Sequence, residues 1–245
     1  MKTNKYQRRF YRDWIKPSQM HLLHIMEKET DLEILTDKPV DKDFVKERIH
    51  ALRWDIEHYI NKDRRFLVGL KPVEVELNAP LIVREMAKQA RRANVGPMAA
   101  VAGAVAEFLA RDLLKKKYKE VIIENGGDIF MKINKPRAIG IYSGRSNAWR
   151  NLALKIKPKD TPLGICTSSG TIGHSLSFGR ADSVVILARS ASLADAVATT
   201  CANRVNSKKD MQNALDCARA IPGVLGVVII MGKDLLSWGK VEFLC

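Results

Sequence analysis

A chain of 245 residues, 46% of them hydrophobic, is long enough to bury a sizeable core. No uninterrupted apolar run is long enough to cross a bilayer, and Met1–Phe10 has positive charges without the apolar centre of a signal peptide, so a cytoplasmic protein with no membrane partner is expected. The net charge of +14 draws polyanions or phosphorylated ligands without choosing between them.

The first sixteen residues carry six basic groups against one acidic, interleaved with Tyr6, Phe10, Tyr11 and Trp14. Such an arm suits base stacking on nucleic acid, but it has no recognisable binding motif, and packing on the body or on a second subunit is preferred. After it, residues 21–26 and 32–35 read as a strand pair around a turn at Glu29–Asp31. Phe44, Val45, Ile49, Leu52, Ile56, Tyr59 and Ile60 recur at helical spacing over 41–60. A helix over 81–93 follows Pro80. Gly96-Pro97 then breaks the chain before a helix running to about residue 117, with proline in its first turn. That helix opens on Ala99, Ala100, Val101, Ala102, Gly103 and Ala104, small enough for a neighbouring backbone or a flat ligand to approach closely. Strands are expected at 120–124, 129–133, 138–143, 152–157 and 183–188, helices at 192–206 and 208–220, and a strand meander over 224–244. Strands and helices mix without a repeating βαβ period, which gives an α+β fold. No repeat or linker divides residues 1–245, so a single domain with an N-terminal arm over 1–16 is expected.

Candidate chemistry gathers in the second half. Glu124-Asn125-Gly126-Gly127-Asp128 lies between two apolar runs, and two glycines there make a tight hairpin turn. Thr167, Ser168, Ser169 and Gly170 begin a hydroxyl- and glycine-rich stretch whose backbone N–H groups could cradle phosphate oxygens. His174 follows, with the imidazole suited to proton transfer near neutrality. Asp195 and Thr199 stand four apart on one helix face and offer hard oxygen ligands suited to Mg²⁺, or else a first-turn acid and a packed hydroxyl. Cys166 could be a nucleophile with His174 as its base, but a small buried thiol at a strand end is preferred. Cys166, Cys201, Cys217 and Cys245 lack the close spacing of a metal site.

Three of these runs, in this order, resemble the ApbE-like proteins, whose characterised members are FAD:protein FMN transferases. The family's GGD turn is similar to Gly126-Gly127-Asp128, its T-S-G stretch and histidine to Cys166–His174, and its A-D-A-x-A-T helix to Ala194–Thr199. The closer match is to an uncharacterised subgroup sharing stretches like Val95–Glu107 and Gly164–Gly179. The resemblance implies mixed sheets packed with helices and a ligand cleft between two α/β halves. It implies FAD and Mg²⁺ as cofactors, with Asp195, Thr199 and the Val101 carbonyl holding the metal. Gly126, Gly127, Asp128 and residues 167–170 would contact the flavin nucleotide, and His174 would activate a hydroxyl of an acceptor protein. The chain departs from the family at Ala102, where the family has lysine, and after His174, where Ser175–Gly179 replaces I-x-D-P. FMN transfer or FAD pyrophosphate hydrolysis is the leading expectation, and a non-catalytic flavin- or nucleotide-binding protein is the alternative. Nucleic-acid binding through the arm ranks below both, and a homo-oligomer stays open.

Overall fold

The computed structural model describes residues 20–141, 147–149, 151–169 and 179–244. The chain opens on a hairpin of β1 (His21–Glu27) and β2 (Thr30–Thr36). Its turn falls at Lys28 and Glu29, so Thr30 and Asp31 belong to β2 rather than to the turn. Next come α1 (Lys42–Lys62), capped by the Asp41 carboxylate, the short α2 (Arg65–Val68) and α3 (Leu81–Ala93), which ends on Asn94 in the left-handed conformation. Gly96 leads into a 3₁₀ turn over Pro97–Ala100 and then α4 (Val101–Lys115). The strands β3 (Val121–Asn125), β4 (Asp128–Lys132), β5 (Arg137–Gly140), β6 (Ala153–Ile156), β7 (Leu163–Ser168) and β8 (Ser183–Ala188) follow. The chain then runs through α5 (Ala191–Arg204), α6 (Met211–Arg219), β9 (Val224–Met231), β10 (Asp234–Gly239) and β11 (Phe243–Leu244).

Eight strands form one sheet in the order β1-β2-β3-β4-β7-β8-β9-β10, and a second sheet runs β11-β6-β5. All pairings among the described residues are antiparallel. Strand alternation splits the buried residues into two cores. Ile34, Ile123, Phe130, Cys166, Ile186 and Ile229 face the helices. Leu35, Ile122, Met131, Ile165, Leu187 and Ile230 face the other way, toward Ile139, Leu154 and Ile156 of the small sheet. The result is three layers, with helices, large sheet and small sheet stacked in turn, and the α+β class is as the sequence implied. β7 was not among the strands expected from sequence. Its residues Leu163–Ser168 are buried on both faces, so they show no polar alternation to read.

No single helix among the described residues is long and apolar enough to cross a membrane.

Candidate functional site

The β3–β4 hairpin closes with Asn125 opposite Asp128 and with Gly126 and Gly127 at φ of 69° and 101°. Two consecutive left-handed residues match the twist of the flanking strands, which is why glycine is needed at both. The Glu124 carboxylate accepts the Gly127 N–H at 2.6 Å and holds the turn from the side. Asn125 and Asp128 share the helix-facing side of the sheet with Phe130 and Cys166. The Asn125 amide donates to the Ala102 carbonyl at 3.1 Å, tying the hairpin to the first turn of α4.

That first turn also meets α5. The Gly103 N–H donates to Asp195 Oδ2 at 2.9 Å. A Cβ on Gly103 would stand 2.3 Å from the Ala191 carbonyl oxygen, and one on Gly164 of β7 would stand 2.4 Å from the Ala191 Cα. Both glycines are therefore required by the approach of α5, and the run of small residues opening α4 serves helix packing. Farther along α4 the fully buried Glu107 carboxylate accepts from Ser190 Oγ at 2.8 Å and from the Ser192 N–H and hydroxyl at 3.2 Å each, with Arg111 as its ion partner. A negative charge at the N-terminus of α5 matches the helix dipole and satisfies a donor that would otherwise be orphaned.

The electrostatics centre on Asp128 and Asp195, both buried. Burial pushes Asp128 well above the usual carboxylate range, and the neighbouring Asp195 charge adds to the rise. Asp195 is pushed up to about 7 by burial, against the pull of the Gly103 and Ala102 backbone N–H groups. Two carboxyls confined together resist simultaneous ionisation unless a cation joins them. Among the described residues Asp128 Oδ1 and Ser168 Oγ are buried with no hydrogen-bond partner. Hard oxygens, excess negative charge and an orphaned carboxylate oxygen fit a hard divalent cation such as Mg²⁺. No cluster of three His, Cys, Asp or Glu side chains able to hold a metal occurs among the described residues, so hydroxyl and carbonyl oxygens would have to complete a ligand set.

Of the residues singled out in the sequence, Val101 begins α4, Asp195 lies in the first turns of α5 and half-buried Thr199 follows one turn later. Gly126, Gly127 and Asp128 form the hairpin turn and the strand end beside it. Thr167 and Ser168 are the last two residues of β7, not part of a turn, and Ser169 follows them. Strand alternation sends Ser168 to the helix side with Cys166, and Thr167 to the opposite face. Gly170, His174 and the 1–16 arm lie outside the described residues. Cys166 is buried, its thiol donates to the Ala191 carbonyl at 3.3 Å, and burial with the adjacent Asp128 pushes its pKa up, which removes it as a nucleophile. Asn125 and Glu107 were not among the candidates. A lone Glu inside the apolar run Val101–Ala110 was the signal for Glu107.

A family model described as AbpE bacteria matches residues 12–237. The chain belongs to this ApbE-like family. It is 40% identical over 218 residues to a UPF0280 protein of Methanococcus maripaludis strain C5, covering 87% of this chain and 88% of that one. It is 37% identical over 219 residues to a UPF0280 protein of Methanosarcina barkeri strain Fusaro, covering 89% and 86%. Among solved structures, the flavin transferase ApbE of Vibrio cholerae is similar with a TM-score of 0.60 at 16% identity, over 91% of this chain and 97% of that one. The Pseudomonas stutzeri flavinyl transferase ApbE, in its apo form, gives a TM-score of 0.59 at 12% identity over 90% and 94%. At these identities the structures speak for the ApbE-like fold.

Proposed function

We propose that this chain binds a flavin nucleotide, FAD, with Mg²⁺, and transfers its FMN moiety to a protein hydroxyl or, with water as acceptor, hydrolyses the pyrophosphate. The observation that carries the reading is the buried Asp195–Asp128 pair where α4, α5 and the glycine hairpin converge. Such a pair is costly without a cation. Similarity to solved flavin transferases supports the choice of flavin. Asp195, Thr199 and the Val101 carbonyl would hold Mg²⁺, which supplies charge neutralisation on the phosphates and on the AMP leaving group.

The remaining roles fall to the chain itself. Asp128 and the Gly126-Gly127 backbone would shape the nucleotide pocket, with Ser168, Ser169 and Gly170 donating to phosphate oxygens, while the Thr167 hydroxyl, expected from sequence to join them, is turned to the opposite face of β7. His174 would take the proton from the attacking hydroxyl. The hydroxyl oxygen then bonds to the FMN phosphorus, the bond from that phosphorus to the bridging oxygen breaks, and AMP departs with it. A second reading, flavin binding without turnover, is favoured by Ala102. Its short side chain leaves the α4 turn without the lysine charge of the family, and its carbonyl is engaged by Asn125.

Incubation of purified protein with FAD and Mg²⁺, followed by chromatography for AMP, tests the reading. AMP release that is lost in His174→Ala while FAD binding persists is the expected result. Tight FAD binding with no AMP from the parent protein selects the binding-only reading. The absence of affinity for FAD, FMN and ADP removes both. A cytoplasmic setting, a single domain over 1–245 and an acceptor protein as partner belong to the same proposal.

A further inference from the structure

β1 ends the eight-stranded sheet, and among the described residues it pairs only with β2. Edge strands present a row of unpaired backbone N–H and C=O groups, and folded proteins blunt them with lysine, proline, bulges or short length. β1 has none of these. It is seven residues long, pairs with β2 in unbroken register, and contains neither proline nor lysine. It also shows solvent two large apolar side chains, Leu22 at 62% and Met26 at 63% exposure. The opposite edge is different. β10 carries Asp234, paired with Lys208, and ends on Gly239 at a φ of 85°.

The sequence of β1 is self-complementary when turned on itself. In an antiparallel pair centred on His24, residue n faces residue 48 minus n of the other strand. Leu22 then faces Met26, on the side of the large sheet that also carries the small sheet. Leu23 faces Ile25 on the helix side. His21 faces Glu27, an imidazole against a carboxylate. His24 meets its own copy on the axis, while each His24 is held by its own Asp31 at 2.6 Å. Every facing pair is therefore apolar with apolar or hydrogen-bonding with hydrogen-bonding, which is how cross-strand pairs stabilise a sheet. Beside the strand runs a groove of about 530 Å³ lined by Ile25, Met26 and Glu27 with Lys46, Glu47 and His50 of α1, leaving room for a second strand's helix-side residues.

We infer that β1 is an interface for a second copy of this chain. Two β1 strands pair antiparallel about a two-fold axis at His24 and join two eight-stranded sheets into one. A two-fold contact of this kind uses the same patch on both partners and closes on itself, so the association stops at a dimer.

Sedimentation equilibrium of the full-length protein, with and without substitutions in β1, tests this. The parent is expected to be a dimer. Leu22→Lys with Met26→Lys sets two like-charged pairs across the axis and should weaken self-association by at least about tenfold, with an unchanged circular dichroism spectrum. Leu22→Glu with Met26→Glu should do the same, and mixing the two variants should restore a dimer containing one of each. An independent reading comes from His24→Cys. The register sets residue 24 against itself, so a small-molecule disulfide should oxidise the two thiols to an interchain bond at that position and be reduced in turn. A monomeric parent, a dimer indifferent to the lysine pair, or failure of position 24 to link would each overturn the inference.

Discussion

At the scale of single residues, the site turns on two carboxyls kept from water, Asp128 and Asp195. A carboxyl whose folded pKa lies above its unfolded value near 3.9 contributes stability that is fully present below that value and is lost as pH rises through the folded pKa. Burial pushes Asp195 up to about 7, so the stability tied to this carboxyl and its neighbour Asp128 is lost from about pH 4 upward, toward 7 and beyond. Metal-free protein should therefore melt at lower temperature at pH 8 than at pH 5.5, with a slope of up to about 1.4 kcal/mol per pH unit from this group. Asp195→Asn should flatten the slope, and Mg²⁺ should raise the melting temperature of the parent at pH 8. Calorimetric melting across that range checks both, and a mutant whose slope equals that of the parent would contradict the electrostatic argument. Asp195 was legible through the resemblance of Ala194–Thr199 to the family's A-D-A-x-A-T helix, since the four-residue spacing by itself equally suits a first-turn acid and a packed hydroxyl. Its coupling to Asp128 was not, since the two lie far apart in the chain and only the packing of α5 against β4 and β7 brings them together.

At the scale of elements, α4 and α5 are registered by backbone approach rather than by large side chains. Gly103 is the narrowest point, with the Ala191 carbonyl where a Cβ would stand. Alanine is the better helix former by about 1 kcal/mol, which argues for stabilisation. A 2.3 Å contact with a backbone oxygen has no side chain to rotate away, and overpacking of this kind costs about 1–3 kcal/mol. We expect the steric term to win. Gly103→Ala should lower the melting temperature and also weaken Mg²⁺-dependent flavin binding, because the displaced N–H is the one that holds Asp195. Thermal melting alongside ligand titration checks this, and a mutant as stable as the parent with equal affinity would contradict it. Helix periodicity made α1, α3, α5 and α6 readable to within a few residues. The 3₁₀ turn at Pro97–Ala100 and the strand β7 were hidden, the first because helical and 3₁₀ patterns share their start signals, the second because both its faces are buried.

At the scale of the whole molecule, the large sheet is the frame on which the site is assembled. Hairpin, β7 and the two helices converge at one end of it, while the small sheet covers the opposite face. The α+β class followed from the mixture of periods along the chain. The three-layer stacking did not, because β5 and β6 are four residues each and their partner β11 lies near the other end of the sequence. Nor does the charge of +14 identify the ligand, since the acidic pair lies at the site while most lysines and arginines among the described residues are exposed or half-buried elsewhere. What we propose above all is that Asp195, pressed against Asp128, holds a cation needed for flavin-nucleotide binding. Isothermal titration of FAD into the full-length protein, with and without Mg²⁺, in the parent and in Asp195→Asn, tests it most directly. Mg²⁺ is expected to tighten FAD binding to the parent and to leave FAD binding to the mutant unchanged. Equal FAD affinity in both proteins at every Mg²⁺ concentration would contradict it.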